Sequence, residues 1–308
     1  AGMNGGAIRW IGADGTLSNS DFTNNNANHG GAVFWEGANG TLTNSNFTNN
    51  KATSNGGAVY WQGANGTLKD CYFIKNAASR GSSIHWNGLN GILTDCTFIN
   101  NTASAYGNVY WAGANGNLSN CNFSSNNVKY YGGGVYWAGA NGNLSNSIFI
   151  GNHAGSDGGG VWWGGVSGTL TDCIFIDNTV NRNGGAVYWE GTNSSMSGCS
   201  FTNNHAIRGD NVYWRWKVDE FLNKYNQIND LDYVYILTSV GTPSNTIQLS
   251  KKGVTISGQD KNKVIFDANG RNLHVEVIGD NILIENLSFR NFNFTGLGGA
   301  IYWNGTYG

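Results

Sequence analysis

Apolar and aromatic positions recur along this chain every 25 or 26 residues, a period far longer than that of a helix or a lone strand. Trp10, Trp35, Trp61, Trp86, Trp111, Trp137, Trp163, Trp189 and Trp214 mark it. Each closes a short block such as Gly56-Gly57-Ala58-Val59-Tyr60-Trp61 or Gly184-Gly185-Ala186-Val187-Tyr188-Trp189. Other columns keep step. A corner Gly follows Asn or Asp, as in Asn39-Gly40 and Asn65-Gly66, and an aliphatic residue stands two positions later, from Leu17 to Met196. A Phe comes next (Phe22, Phe47, Phe73, Phe98, Phe123, Phe149, Phe175, Phe201), and three residues on stands an Asn (Asn25, Asn50, Asn76, Asn101, Asn126, Asn152, Asn178, Asn204). A small apolar residue such as Ala27 or Val180 lies two beyond that, which makes eight consecutive coils.

Such a period is the mark of a solenoid. The apolar patches are short and bounded by Gly and Asn corners, which predicts brief strands, about three to a coil. No helical periodicity is present in this region, so stacked helix pairs are excluded. The expected fold is all-β, a right-handed parallel β-helix in which each strand pairs with its counterpart one coil away. Rungs roughly 4.8 Å apart would make eight coils a rod of about 40 Å. Right-handed crossovers are strongly favoured.

Parity assigns the faces. In Gly-Gly-Ala-Val-Tyr-Trp the Val and Trp share a side, and the Val position accepts only Val or Ile, so it points inward. The Trp is expected inward or at a corner. Trp35, Trp61, Trp111, Trp137 and Trp189, with Phe47, Phe73 and Phe98, are expected as aromatic ladders. The position between Val and Trp accepts Arg9, Phe34, Tyr60, His85, Tyr110, Tyr136, Trp162, Tyr188 and Tyr213, a tolerance that predicts an outward column. Phe34, Tyr60, Tyr110, Tyr136, Trp162, Tyr188 and Tyr213 are therefore candidates for stacking on sugar rings. Cross-strand stacking on a β surface is the competing explanation. Asn50, Asn76, Asn101, Asn126, Asn152 and Asn178 are expected to form a ladder of side-chain amides, because buried polar groups must be paired.

Cys71, Cys96, Cys121, Cys173 and Cys199 share one column with Ser20, Ser45 and Ser147. Parallel Cβ vectors at rung spacing hold neighbouring thiols slightly too far apart for a disulfide, so free buried thiols are expected. Their spacing does not fit a zinc site. Only 12% of the residues are charged and the net charge is −2, which gives no electrostatic footprint for nucleic acid or an acidic membrane. The longest apolar runs are too short to span a bilayer as a helix, and no signal peptide opens the sequence. An Asn-, Ser- and Thr-rich surface suits an extracellular, cell-surface setting. Asn39 and Asn65 are corner sequons and candidates for glycosylation. The sequence opens and closes inside repeat text, so it is expected to be a piece of a longer polypeptide.

After Trp214 the period lapses until Trp303. Val218, Phe221, Leu222, Tyr225 and Ile228 fall at helical spacing within Trp216 to Asp230, and strand-like runs follow from Val234 to Phe289. The expected organisation is a β-helix over 1–214, a helical cap or junction over 215–238, and the irregular first coils of a second β-helix over 239–308. A mid-solenoid insertion is the alternative. Solenoids need atypical ends to cover their open edges.

The Gly-Gly-Ala blocks alternating with Phe-x-x-Asn resemble the repeat of chlamydial polymorphic outer membrane proteins. The fuller unit, Gly30 to Asn50, resembles the adhesin-like surface proteins of methanogenic archaea. Ile247 to Trp303 is similar to the opening of their β-helix domains. The resemblance implies a long surface adhesin or surface-layer component. Ser82-Ser83, Gly107-Asn108, Gly133-Gly134 and Asp210-Asn211 depart from the Gly-Gly-Ala pattern, while the β-branched residue and the Trp persist.

Parallel β-helices also host polysaccharide lyases and hydrolases, which need facing carboxylates or an acid beside a base. Asp70, Asp95 and Asp172 share one repeat slot and would be spread along the rod. Arg208-Gly209-Asp210 lies in the Gly-Gly-Ala slot rather than at a loop tip, and Gly155-Ser156-Asp157-Gly158 offers a single acid to a cation. The leading expectation is a non-enzymatic surface rod without cofactor or metal. Its partners would be other copies or modules of the same polypeptide and glycans of a host or partner cell. A sugar-binding aromatic surface is the alternative, and a polysaccharide lyase or hydrolase the third reading.

Overall fold

The computed structural model describes residues 4–296 and 298–307. Ala1 to Met3 and Gly308, the outermost residues of the expected divisions, lie outside the described residues. The chain forms two compact units, Ala1–Ile207 and Arg208–Gly308.

The first unit is a parallel β-helix. A coil runs, for example, through Val33–Trp35, Thr41–Thr43, Asn46–Thr48 and Lys51–Asn55. Each strand pairs in register with its counterpart one coil on: Trp61 with Trp86, Leu68 with Leu93, Phe73 with Phe98, Ala78 with Ala103. The result is four parallel sheets rather than the three expected. The fourth strand arises from a five-residue beat inside the repeat. Asn39, Asn44 and Asn49 have φ of 57°, 47° and 55°, and the buried residues Leu42, Phe47 and Ala52 lie midway between or just beyond them. Each beat is a three-residue strand with its central residue inward, followed by a corner in the left-handed region. Asn and Asp tolerate that region best among residues with a Cβ.

The Trp column points inward. Trp35 through Trp189 are fully buried, and their indoles stack nearly parallel with centroids 4.7 to 5.2 Å apart. The corner Gly column explains how so large a ring fits. A Cβ on Gly40, Gly66, Gly91 or Gly116 would collide with the indole nitrogen of the preceding Trp. The indole N–H of Trp61 donates to the Gly63 carbonyl at 3.1 Å, and Trp111, Trp137, Trp163 and Trp189 repeat the bond.

The second unit is also built of parallel strands, here in sheets that run three to a coil. Val212–Trp216, Tyr233–Ile236, Thr255–Gly258 and Leu283–Glu285 pair in sequence. Ser239–Gly241, Val264–Asp267 and Ser288–Arg290 form a second sheet, and Ile247–Leu249, Val275–Val277 and Ile301–Trp303 a third. Helix α1 spans Val218–Lys224 and continues as a 3-10 turn over Tyr225–Gln227, shorter than the helix expected over Trp216 to Asp230. The Glu220 carboxylate accepts the Lys217 N–H at its start. Beyond the 3-10 turn Asp232, fully buried, accepts N–H bonds from Asn229 (2.8 Å), Val212 (3.1 Å) and the Trp214 indole (2.7 Å) just before the next strand. Burial pushes the Asp232 pKa up to about 8 against those donors. Phe221 packs edge-on against Phe266 at 5.5 Å, and Gly241 leaves room for Val218.

Trp111 stacks on Trp86 and Trp137 in the middle of the first unit. Trp111→Ala should therefore lower stability by about 3–5 kcal/mol, read as a fall in the urea midpoint, with Trp111→Phe losing clearly less. Equal losses for the two variants would deny the stack its role.

Candidate functional site

The inward columns are closed to ligands because each is occupied by its own repetition. The Asn ladder is the fullest case. The Asn50 backbone N–H and side-chain Nδ2 both donate to Asn76 Oδ1, at 2.9 and 3.1 Å, and Nδ2 donates again to the Phe22 carbonyl at 2.9 Å. Asn76, Asn101, Asn126, Asn152 and Asn178 repeat this pattern. Every donor of the amide is used and its oxygen accepts twice, so a polar group can sit fully buried without penalty. Phe47, Phe73 and Phe98 stack 4.9 Å apart beside it.

The Ser/Cys column works the same way. The Ser45 hydroxyl donates to the Thr43 carbonyl at 2.8 Å and the Cys71 and Cys96 thiols to those of Lys69 and Thr94 at 3.2 and 3.1 Å. The Cys71 N–H in turn donates to Cys96 Sγ. The thiols are free; Cys71, Cys96, Cys121 and Cys173 are buried and Cys199 is half-buried. Burial pushes the Cys96 thiol well above its ordinary pKa, which makes it a poor nucleophile.

The column expected to point outward does so, but its rings are largely covered. It lies on the outer side of its sheet, but Phe34, Tyr60 and, in the second unit, Tyr213 are buried, and Tyr110, Tyr136, Trp162 and Tyr188 are half-buried. The rings stack on one another: Phe34 on Tyr60 at 4.9 Å, His85 on Tyr110 at 4.5 Å, Tyr136 on Trp162 at 4.2 Å. His29 leans over Tyr60, Tyr106 over Tyr110 and Tyr136, and Tyr131 over Trp162. Asn87 Nδ2 donates to the Tyr60 hydroxyl at 2.8 Å. A sugar stacks on a ring face, and between Phe34 and Trp162 the faces are taken; only edges meet solvent. The flanking aromatics were missed by sequence reasoning. Their signal was a weaker, mixed column, His29, Asn55, Arg80, Tyr106 and Tyr131, whose members pair coil to coil.

Asp70, Asp95 and Asp172 occupy left-handed corners, with φ near 54°. Asn19, Asn44, Asn120 and Asn146 fill the same slot. Conformation accounts for the acids there, and Lys69 reaches Asp70 and Asp95 at 3.6 and 3.9 Å on an exposed surface. Asp157 is buried and accepts from Asn183 Nδ2 at 2.7 Å, so its carboxylate is engaged. Among the described residues no group of three or more His, Cys, Asp or Glu is placed to hold a metal. The Arg208 guanidinium lies over the Tyr233 ring at 5.8 Å and Gly209 turns the chain at φ 67°. Asn39 and Asn65 are exposed, yet both donate Nδ2 within a second, solvent-side ladder, to Asp14 at 2.9 Å and to Asn39 at 3.0 Å. Asn90, Asn115 and Asn141 continue it.

The first unit also carries a concave surface. A trough of about 640 Å³ runs over the outer face of the fourth sheet, crossing the strands that contain Lys51, Ser79, Ser104 and Asn127.

Geometry of this kind defines a β-helix repeat protein. The family profile described as a right handed beta helix region matches residues 1–132. The profile of the Chlamydia polymorphic membrane protein repeat matches residues 172–188, which hold Phe175, Asn178 and Gly184-Gly185-Ala186. No curated protein matches the chain. The chain is thus a parallel β-helix repeat protein whose repeats resemble those of the polymorphic membrane proteins. Neither match bears on the methanogen surface proteins. Among the described residues no helix is long and apolar enough to cross a membrane.

Asn101→Leu would strip Asn76 of its acceptor and the Phe73 carbonyl of its donor. At about 1–3 kcal/mol for each orphaned group, it should cost several kcal/mol in urea unfolding, whereas Asn122→Thr on the exposed face stays within about 0.5 kcal/mol. His85 gives a pH signature. Burial lowers its pKa to about 4 despite a bond to Asn87, with Arg80 and His29 nearby adding repulsion. The unfolded chain then takes up a proton that the folded one refuses, so this contribution is complete above pH about 6.5 and is lost as pH falls toward 4. His85→Phe should flatten the unfolding midpoint across that window. An unchanged slope would show that His85 does not titrate there.

Proposed function

We propose that this chain is a rod segment of a long, repetitive cell-surface protein with a structural and adhesive role and no catalytic one. The observation that carries the reading is the uniformity of the inward columns. The Trp, Phe and Asn ladders pass through the coils without a break, and the polar groups beside them are spent on their neighbours. A lyase or hydrolase sets one coil apart, with converging acids and bases. Here the acids of the shared slot follow the left-handed corner instead. The polymorphic-membrane-protein repeat supports a surface location. We infer further that 215–238 is a cap or junction and 239–308 the first coils of a second module. The partners are then further modules or copies of the same polypeptide.

Antibodies raised against this segment should label intact cells, and brief protease treatment of those cells should remove the label. Labelling only after lysis would overturn the surface reading. The absence of catalysis is tested separately: product release from a panel of polysaccharides, abolished by Asp95→Asn or Asp172→Asn, would restore the enzyme reading.

A further inference from the structure

We propose that the trough on the fourth sheet of the first unit binds an extended anionic polysaccharide, carboxylated or sulfated. Three features combine on this surface. The first is shape. The strands Ala77–Arg80 and its neighbours shift register between Ala78 and Arg80 on one side and between Ala77 and Arg80 on the other. Bulges of this kind bend a strand, and the outward side chains here are small, so the face is hollowed into a channel of about 640 Å³.

The second is unspent polarity. Some outward columns bond along their own length, as in Asn143 to Asn117 and Thr169 to Asn143. In the trough Thr53 bonds to Asn28 at 2.7 Å, but the hydroxyls of Ser79, Thr102 and Ser104 make no hydrogen bond within the described residues. They are left facing the channel.

The third is charge. The chain carries a net charge of −2, yet no acidic residue lines the trough, and Lys51 and Lys129 stand at its two ends. Among the described residues neither ammonium is paired with a carboxylate. Lys129 lies over the Tyr130 ring at 5.1 Å, which holds it at the rim. The two lysines are three coils apart, roughly 14 Å along the axis at rung spacing, the span of a few pyranose rings.

The chemistry favours a glycan over a peptide. The strands under the trough pair with adjacent coils on both sides, so no edge is open there for strand addition. A hydroxyl-bearing polymer with spaced anions matches free hydroxyls flanked by cations. The site does not depend on the surface reading, since a rod with no glycan affinity would still label on intact cells.

Calorimetric titration of the whole chain with oligogalacturonate and with sulfated dextran oligosaccharide tests it, with neutral dextran and poly-glutamate as comparators. Binding of at least one anionic glycan is expected, weakening as salt rises. It should fall at least ten-fold in the double variant Lys51→Ser, Lys129→Ser, and as far in Ser104→Trp, which fills the channel without touching charge. Both variants alter exposed positions, so their urea midpoints should match the parent. Oligogalacturonate binding alone identifies a carboxylated ligand and sulfated dextran binding alone a sulfated one. Unchanged affinity in both variants, equal binding of neutral dextran, or poly-glutamate binding as tightly would overturn the proposal.

Discussion

The fold depends on one constraint: each inward side chain must satisfy itself against the same side chain one coil away. The Asn ladder states it most strictly. A side-chain amide at the centre of a protein needs two acceptors and two donors, and Asn101 finds them only because Asn76 and Asn126 hold the same position above and below. Once that register is fixed, the Phe rings stack beside it and the indoles stack across from it. A slip of one residue would turn every inward group to solvent. The five-residue beat follows from the same demand, since each short strand must end in a corner that keeps the next inward residue aligned with its counterpart.

This constraint explains which parts of the structure could be read from the sequence. Trp, Phe and interior Asn recur because substitution breaks a stack, so their columns stand out by count and their faces by parity. The fourth strand was obscured because its inward residue is small and variable, Ala52 in one coil and Val128 in another, and because the corner before the Ser/Cys column takes Asn, Asp or Gly with equal ease. Identity there is dictated by a backbone angle, which leaves a softer trace than a buried ring. Helix α1 was legible in kind but not in length: the apolar spacing runs on to Ile228, yet the backbone tightens to a 3-10 turn at Tyr225 and is extended at Ile228. The burial of Phe34 and Tyr60 was not legible either. It depends on side chains such as His29 and Asn87 reaching across from neighbouring columns.

Aromatic residues repeated on an outer face invite a sugar-stacking reading, yet repetition at rung spacing works against it. Rings about 4.8 Å apart sit close to the optimum for contact with each other, so a complete column seals its own faces. Even where the column loosens, as between Trp162 and Tyr188 with centroids 6.0 Å apart, the rings remain nearly parallel. The same logic holds for polar columns: amides in register bond to one another and leave little for a guest. Recognition on a solenoid is therefore expected where the repeat is imperfect. The fourth sheet meets that condition. Its outward positions change identity from coil to coil, Lys51, Ala77, Thr102 and Asn127 in succession, so no continuous ladder runs through the trough. The regular columns hold the β-helix together, and the proposed glycan surface lies on the irregular one.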